Sequence, residues 1–255
     1  MTTETNNKTS KATEKKFELT DETFYDYHVD ARVYRIKALR DFGDVKAGDL
    51  GGFVEEESNL SHESTCWIYD NAVVCKGSEV SDEAEVRGSA VVSDKSYVWE
   101  DARIYENARV YNSLIKGGVV HGNAVVNNAE VFWHAEVKDE ANIREGQIRD
   151  GATISENAVV SGFSCIYGYD TVVGSNAHIA NGDVGCTDDW HVFGGYRGHY
   201  VTWLREEDGF VLFGRKYGAN ELIEYAHECG GFVLANAISA LAGVEAIKLQ
   251  TKSNR

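Results

Sequence analysis

Aliphatic residues recur every six positions through the middle of the chain. The unbroken run consists of Ile68, Val74, Val80, Val86, Val92, Val98, Ile104 and Val110. A small residue, Ala or Ser, precedes most of them by two positions, and polar turn-forming residues such as Ser81-Asp82-Glu83 separate the units. A sheet of alternating strands has period two and would not place Ala at a fixed offset from Val. The pattern therefore predicts a repeat architecture of short strands joined by tight turns.

The repeat continues past Val110 with slips of one residue. Its further positions are Ile115, Val120, Val126, Val131, Val137, Ile143, Ile148, Ile154, Val160, Ile166, Val173, Ile179 and Val184, and Val54 and Leu60 are candidates for its start. Three units close one triangular coil of about eighteen residues, with each aliphatic side chain pointing inward. A single coil cannot bury its apolar side, so about seven coils stack on a shared core.

The pattern divides the chain into four segments. Residues 1–16 are polar and predict a disordered tail, and residues 17–53 contain an alternating strand, 32–39, and predict a cap for the first coil. Residues 54–185 are the coils. Residues 186–255 lose the repeat and predict a small α+β module, with strands at 191–194, 199–204 and 210–213 and helices at 220–226 and 233–248.

Composition narrows the possible partners. The formal net charge of −16 disfavours non-specific nucleic-acid binding, which needs clustered Lys and Arg. The sequence has no long apolar run that would cross a membrane and no apolar signal-peptide core at its start. The five cysteines include no CxxC pair, so neither a disulfide framework nor a metal site is predicted. We expect a cytoplasmic protein with reduced thiols.

The repeats resemble the left-handed parallel β-helix of hexapeptide-repeat proteins, a family that includes many acyltransferases. Residues 34–53, together with 59–63 and 66–72, are similar to phage and prophage members of that family, which are often labelled polymer-forming cytoskeletal or putative transferase proteins. The resemblance implies a mainly β fold, a left-handed parallel β-helix of about seven coils with a small C-terminal α+β module. It also implies a phage or prophage source and a bacterial host cytoplasm.

Hexapeptide-repeat acyltransferases typically use a histidine as general base, so the histidines of the coils are candidates. These are His121, His134 and His178, and no sequence motif supplies any of them with an acid partner. A surface histidine without a catalytic role is the simpler interpretation of each. His134 is the preferred catalytic candidate because Phe132 and Trp133 could form a pocket wall beside it.

Two columns of outward residues follow from counting the repeats in threes. The first column begins at Ser81 and continues with Trp99, Lys116, Phe132, Arg149 and Tyr167. The second column consists of Tyr69, Arg87, Tyr105, His121 and Lys138. Such columns predict ordinary packing of neighbours on a β surface, an oligomer interface, or a groove that binds a nucleotide-like molecule by stacking and phosphate pairing. These three alternatives stay open. The aromatic column and the apolar stretch 232–249 favour a homo-oligomer, most simply a trimer.

The sequence favours a non-enzymatic phage scaffold or binding protein over a hexapeptide-repeat acyltransferase. A counter-defence protein that sequesters a host protein or a nucleotide signal is a third hypothesis, which depends on the implied source and the two columns. No cofactor is predicted, and acyl-CoA is expected only if the acyltransferase alternative holds. A catalytic histidine paired with an acid in a closed groove is the feature that would separate the enzyme from the scaffold.

Overall fold

The computed structural model describes residues 14–180, 182–186, 190–196, 199–204, 209–212 and 215–228, together with Ile238. The predicted fold class is confirmed: the chain is a parallel β-solenoid of about seven coils, followed by a small sheet and one helix. Each coil contributes one short strand to each of three sheets, and the three sheets form the walls of the solenoid.

The solenoid strands are grouped by sheet. The first sheet contains Leu50–Val54, Val73–Val74, Val91–Ser93, Arg109–Tyr111, Val125–Asn127, Asn142–Ile143, Val159–Ser161 and His178–Ala180. The second sheet contains Trp67–Ile68, Glu85–Val86, Arg103–Ile104, Val119–Val120, Glu136–Val137, Thr153–Ile154 and Val172–Val173. The third sheet contains Glu79–Val80, Tyr97–Trp99, Leu114–Lys116, Ala129–Phe132, Gly146–Arg149, Cys165–Tyr167 and Asp183–Val184.

The core is a column of aliphatic side chains along the solenoid axis. Every inward position predicted from Ile68 to Val184 has 0% exposure. The strand register pairs inward aliphatic residues of neighbouring coils, as in Ile104 with Val86 and Val120. Val54 and Leu60 begin the column, since both are buried and Leu60 bridges Val80. The small residues are buried as well, which explains why Ala or Ser stands two positions before most inward residues.

The corners between sheets explain the polar residues of the repeat. Many corner residues adopt positive φ angles, for example Asp82 at 57° and Asn112 at 44°. Asp and Asn tolerate this conformation better than most residues. Some corner carboxylates also accept a backbone N–H of the next coil, as Asp70 does from Gly88 at 2.9 Å and Asp82 from Glu100 at 3.1 Å. The turn residues therefore join coils as well as reversing the chain.

The N-terminal module extends the first sheet and closes the solenoid. Strand Phe17–Asp26 pairs antiparallel with Ala31–Ala38, which pairs antiparallel with Leu50–Val54. A 3-10 helix, Glu57–Asn59, then leads into the coils. Gly52 allows strand Leu50–Val54 to lie close to the backbone of the first coil, because a Cβ at this position would lie 2.5 Å from the carbonyl oxygen of Ala72.

The base of the cap contains a buried amine and thiol. Lys16, at the end of the predicted tail, is fully buried, and its Nζ donates to the carbonyl oxygen of Cys66 at 2.8 Å and to its Sγ at 3.1 Å. Burial lowers the pKa of Lys16 and raises that of Cys66. Residues 1–13 of the predicted tail lie outside the described residues.

The C-terminal module covers the other end. Strands Trp190–Tyr196, His199–Leu204, Gly209–Leu212 and Arg215–Gly218 form an antiparallel sheet, followed by helix Ala219–Glu228. Leu204 and Val211 pack into the solenoid core. The strand at 215–218 was not predicted. The predicted helix at 233–248 lies outside the described residues except for Ile238, which is buried against the sheet and helix.

Candidate active site on the second sheet

The predicted column Tyr69, Arg87, Tyr105, His121 and Lys138 lies on the outer face of the second sheet. Each residue directly follows an inward aliphatic residue, and the parallel register brings successive members together. The guanidinium carbon of Arg87 lies 3.6 Å from the ring centre of Tyr69. The rings of Tyr105 and His121 stack at 4.6 Å with 14° between their planes. The column is thus two contact groups, one on either side of the gap between Arg87 and Tyr105.

His121 has the acid partner that no sequence motif indicated. Its Nε2 lies 2.9 Å from Oε1 of Glu136, and its Nδ1 lies 3.7 Å from Oε2 of Glu106, beyond hydrogen-bond distance. Glu136 precedes the inward residue Val137 on the next coil, so parallel pairing places its carboxylate beside the imidazole. If Nε2–H donates to Glu136, Nδ1 is left unprotonated and able to accept a proton.

Glu136 is held as a carboxylate by two neighbours. Burial acts to raise its pKa, but hydrogen bonds from Lys138, whose Nζ lies 2.7 Å from Oε2, and from His121 act against burial. The net result is a lowered pKa for Glu136. The side chain of His121 is 17% exposed, and the Tyr105 ring covers one of its faces. The imidazole is therefore fixed in orientation and still reachable from solvent.

The other half of the column is a closed network. The Tyr69 hydroxyl donates to Asp44 at 2.7 Å, and burial followed by this bond raises its pKa. Nε of Arg87 donates to Glu85 at 3.0 Å, and this bond raises the pKa of Arg87. Asp44 belongs to the cap, so this group joins the cap to the first coils. Its polar atoms bond to one another, which fits a structural role.

The aromatic and cationic column lies on the outer face of the third sheet, as predicted. Lys116 pairs with Trp99 and Phe132 in neighbouring strands, and its Nζ lies 5.6 Å from the Trp99 ring centre. Arg149 pairs with Tyr167 in the same way, with its guanidinium carbon 5.1 Å from the ring centre. Both contacts are within the range of cation–π attraction.

The cations of this column already have carboxylate partners. Lys116 Nζ lies 3.2 Å from Glu100, and Arg149 Nη1 lies 3.0 Å from Asp150. A phosphate bound by these side chains would have to displace or share those acids. The contacts present are those of neighbours on a β surface, although Trp99 remains 39% exposed.

The other two candidate histidines differ in their surroundings. His134 is exposed at a corner with a φ of 64°, and no carboxylate bonds to its ring among the described residues. Trp133 beside it is 47% exposed and Phe132 contacts Trp133 at 5.7 Å, so the aromatic neighbours form no enclosed wall there. His178 is half-buried on the first sheet, and its Nε2 lies 3.0 Å from the hydroxyl of Ser161.

Two shallow clefts follow the corner between the first and third sheets. The larger, of about 350 Å³, is lined by Asn128, Glu130, Glu145, Gly146, Gln147, Phe163, Ser164 and Cys165. The smaller, of about 230 Å³, shares Asn128 and Glu130 with it. The described residues include no cluster of three or more metal-binding side chains. They also include no helix long and apolar enough to cross a membrane.

Comparison with known proteins gives one partial likeness. An Escherichia coli (strain K12) protein named "Uncharacterized acetyltransferase YdcK" is 46% identical to this chain over 48 residues. The chain is similar in part to an acetyltransferase. The matched segment is 18% of this chain, and the chain spans about 15% of the length of that relative. No protein-family model matches the chain.

Proposed function

We propose that this protein is an acyltransferase of the hexapeptide-repeat type, with His121 as its general base. The observation that carries the proposal is the His121–Glu136 pair at 2.9 Å, which gives a coil histidine the acid partner expected of a general base. The partial likeness to an uncharacterized acetyltransferase supports the same class. The ranking made from sequence, scaffold before enzyme, is therefore reversed in this proposal.

The proposed step is direct acyl transfer from acyl-CoA to an amine or hydroxyl. The acceptor attacks the thioester carbonyl and Nδ1 of His121 takes the acceptor's proton. The carbon–sulfur bond then breaks, and the imidazolium returns that proton to the CoA thiolate. Glu136 accepts a hydrogen bond from Nε2–H of His121 and stabilises the imidazolium that forms. The stacked ring of Tyr105 limits rotation of the imidazole. General-base assistance of this kind contributes about 10²- to 10⁴-fold in rate.

The test uses the full chain, acetyl-CoA and a panel of amine and sugar acceptors. We expect saturable acetyl-CoA binding by calorimetry and acceptor-dependent release of free thiol. His121→Gln should lower kcat by about 10²- to 10⁴-fold while leaving acetyl-CoA binding in place. His134→Gln is the matched control and should keep full activity, because His134 is exposed and has no acid partner among the described residues. Absence of acetyl-CoA binding by the wild-type chain would refute the proposal.

The second candidate is the non-enzymatic scaffold or binding protein. Two exposed aromatics favour it: Trp99 on the third sheet is 39% exposed, and Trp133 in the corner after that sheet is 47% exposed. The cleft of about 350 Å³ lies at the opposite corner of the same sheet. Under this hypothesis Trp99→Ser weakens self-association or partner binding, and His121→Gln has no effect. The phage source, the counter-defence role and the trimer remain predictions.

A further inference from the structure

A serine and a histidine meet on the first sheet, away from the second-sheet column. Ser161 ends strand Val159–Ser161, and His178 begins strand His178–Ala180 on the next coil. The Ser161 Oγ and the His178 Nε2 are 3.0 Å apart, which is hydrogen-bond distance for a hydroxyl nucleophile and its base. Both residues are half-buried, so the pair is neither sealed in the core nor fully solvated.

Strand geometry places the two side chains on the outer face. Val160 and Ile179 point inward and are register partners, so the residues on either side of each point outward. Ser161 pairs with Ala180 and Val159 pairs with His178, which makes the serine and the histidine diagonal neighbours. The contact is therefore set by the register of the coils.

The C-terminal module fixes the histidine. The Oγ1 of Thr202, a fully buried residue of the C-terminal sheet, accepts the backbone N–H of His178 at 2.7 Å. The small side chain of Ala180, also buried, lies directly beside Ser161. These contacts hold the strand that carries the base.

A cation lies next to the pair. Arg144 follows Ile143, the register partner of Val160, and so occupies the outward position of Ser161 one coil earlier. Its side chain is exposed, and it makes no ion pair with a carboxylate among the described residues. Burial, and then the charge of Arg144, lower the pKa of His178, which keeps the imidazole neutral and able to accept a proton.

We propose that Ser161, His178 and Arg144 form a second site, at which Ser161 is acylated by activated acyl esters. The Ser161 oxygen attacks the carbonyl carbon and forms a C–O bond, and the bond from that carbon to the leaving group breaks. The hydroxyl proton passes to Nε2 of His178 and then to the leaving alkoxide or thiolate. Arg144 stabilises the oxyanion that develops on the carbonyl oxygen. Water or an acceptor alcohol then removes the acyl group by the reverse path.

The chain supplies a matched control for the serine. Residues 91–93 have the same Val-Val-Ser sequence as residues 159–161 and occupy the same positions on the same sheet. The Ser93 Oγ donates to Asp94 at 3.1 Å, and its register neighbour on the next coil is Tyr111. Ser93 therefore has the same strand position as Ser161 and no histidine base among the described residues, and it is buried where Ser161 is half-buried.

The test treats the full chain with p-nitrophenyl acetate and follows p-nitrophenolate release and the site of acetylation by peptide mass spectrometry. We expect a burst of release with one acetyl group on Ser161. His178→Gln should slow acetylation by about 10²- to 10⁴-fold, and Arg144→Gln by at least about tenfold. Ser161→Ala should abolish the burst, and Ser93→Ala should leave it unchanged.

Two results would overturn the proposal: an unmodified Ser161 in the wild-type chain, or equal acetylation of Ser161 in folded His178→Gln. Circular dichroism checks the fold of each variant, and Ser161→Ala keeps the test decisive if His178→Gln unfolds, because it leaves the histidine in place. The site is on a different sheet from His121. An unmodified Ser161 therefore leaves the acyl-CoA proposal standing, and failure to bind acetyl-CoA leaves this one standing.

Discussion

Ile104 offers the most direct measure of the stacked core. It has 0% exposure and lies between Val86 and Val120, its register partners on the neighbouring coils. Ile104→Ala removes three carbon atoms from this column. The neighbours cannot close the gap easily, because hydrogen bonds of the second sheet fix their strands at the usual spacing of about 4.8 Å.

The magnitude follows from burial and packing. Three lost carbons at about 0.8 kcal/mol each remove about 2.4 kcal/mol of transfer free energy. The unfilled space adds a cavity cost, which places the total loss at about 3–4 kcal/mol, within the usual range for such substitutions. Ile104→Val removes one carbon and should cost about 1 kcal/mol. A loss of about 3 kcal/mol lowers the Tm by roughly 6–12 °C in a chain of this size.

Thermal unfolding by circular dichroism measures the series, with Arg103→Ala as the control. Arg103 is the exposed neighbour on the same strand, and its removal should change stability by no more than about 0.5 kcal/mol. Val92→Asp and Ile104→Asp should lower the Tm still further, since each substitution would bury an unpaired charge. Equal effects of Ile104→Ala and Arg103→Ala would refute the inward register of the second sheet.

Two further predictions concern charge and assembly. The fold lowers the pKa of Glu136 from an ordinary 4.5, so its stabilising contribution is present above that pH and is lost as pH falls through the lowered value. The Tm advantage of wild type over Glu136→Gln should therefore shrink below about pH 4.5, and a constant difference down to about pH 3 would contradict it. Light scattering should give about three times the 28.2 kDa chain mass for the predicted trimer, and a monomer mass at micromolar concentration would exclude it.

The fold was predictable because one side-chain position repeats. An inward aliphatic residue, a small residue two positions earlier and a polar corner occur in nearly every unit, and each has one structural explanation. The strand Tyr97–Trp99 shows the alternation directly, with the buried Val98 between two exposed residues. The antiparallel pairing of the cap and the strand at 215–218 were harder, since neither follows the repeat.

The candidate site was only half predictable. Counting the repeats in threes placed His121 in the correct column. Its acid partner was missed because Glu136 precedes the inward residue of its strand, whereas every member of the column follows one. Glu136 is fifteen residues away in sequence, and the parallel register of Val119–Val120 with Glu136–Val137 brings it beside the imidazole. Aromatic neighbours drew attention to His134, yet its corner conformation turns it into solvent. The Ser161–His178 pair is likewise a diagonal contact, which depends on register.

The corners differ in length from coil to coil, so the number of residues in a coil does not set its height along the solenoid axis. Inward register partners on the first sheet are 18 residues apart from Val74 to Val92, 16 from Val110 to Val126 and 19 from Val160 to Ile179. Each pair nevertheless spans one strand spacing of about 4.8 Å. A residue gained or lost at a corner therefore displaces no core side chain. Coil number alone sets the height of the solenoid, and its corners are where insertions, peptide tags or cross-linking residues can be accommodated.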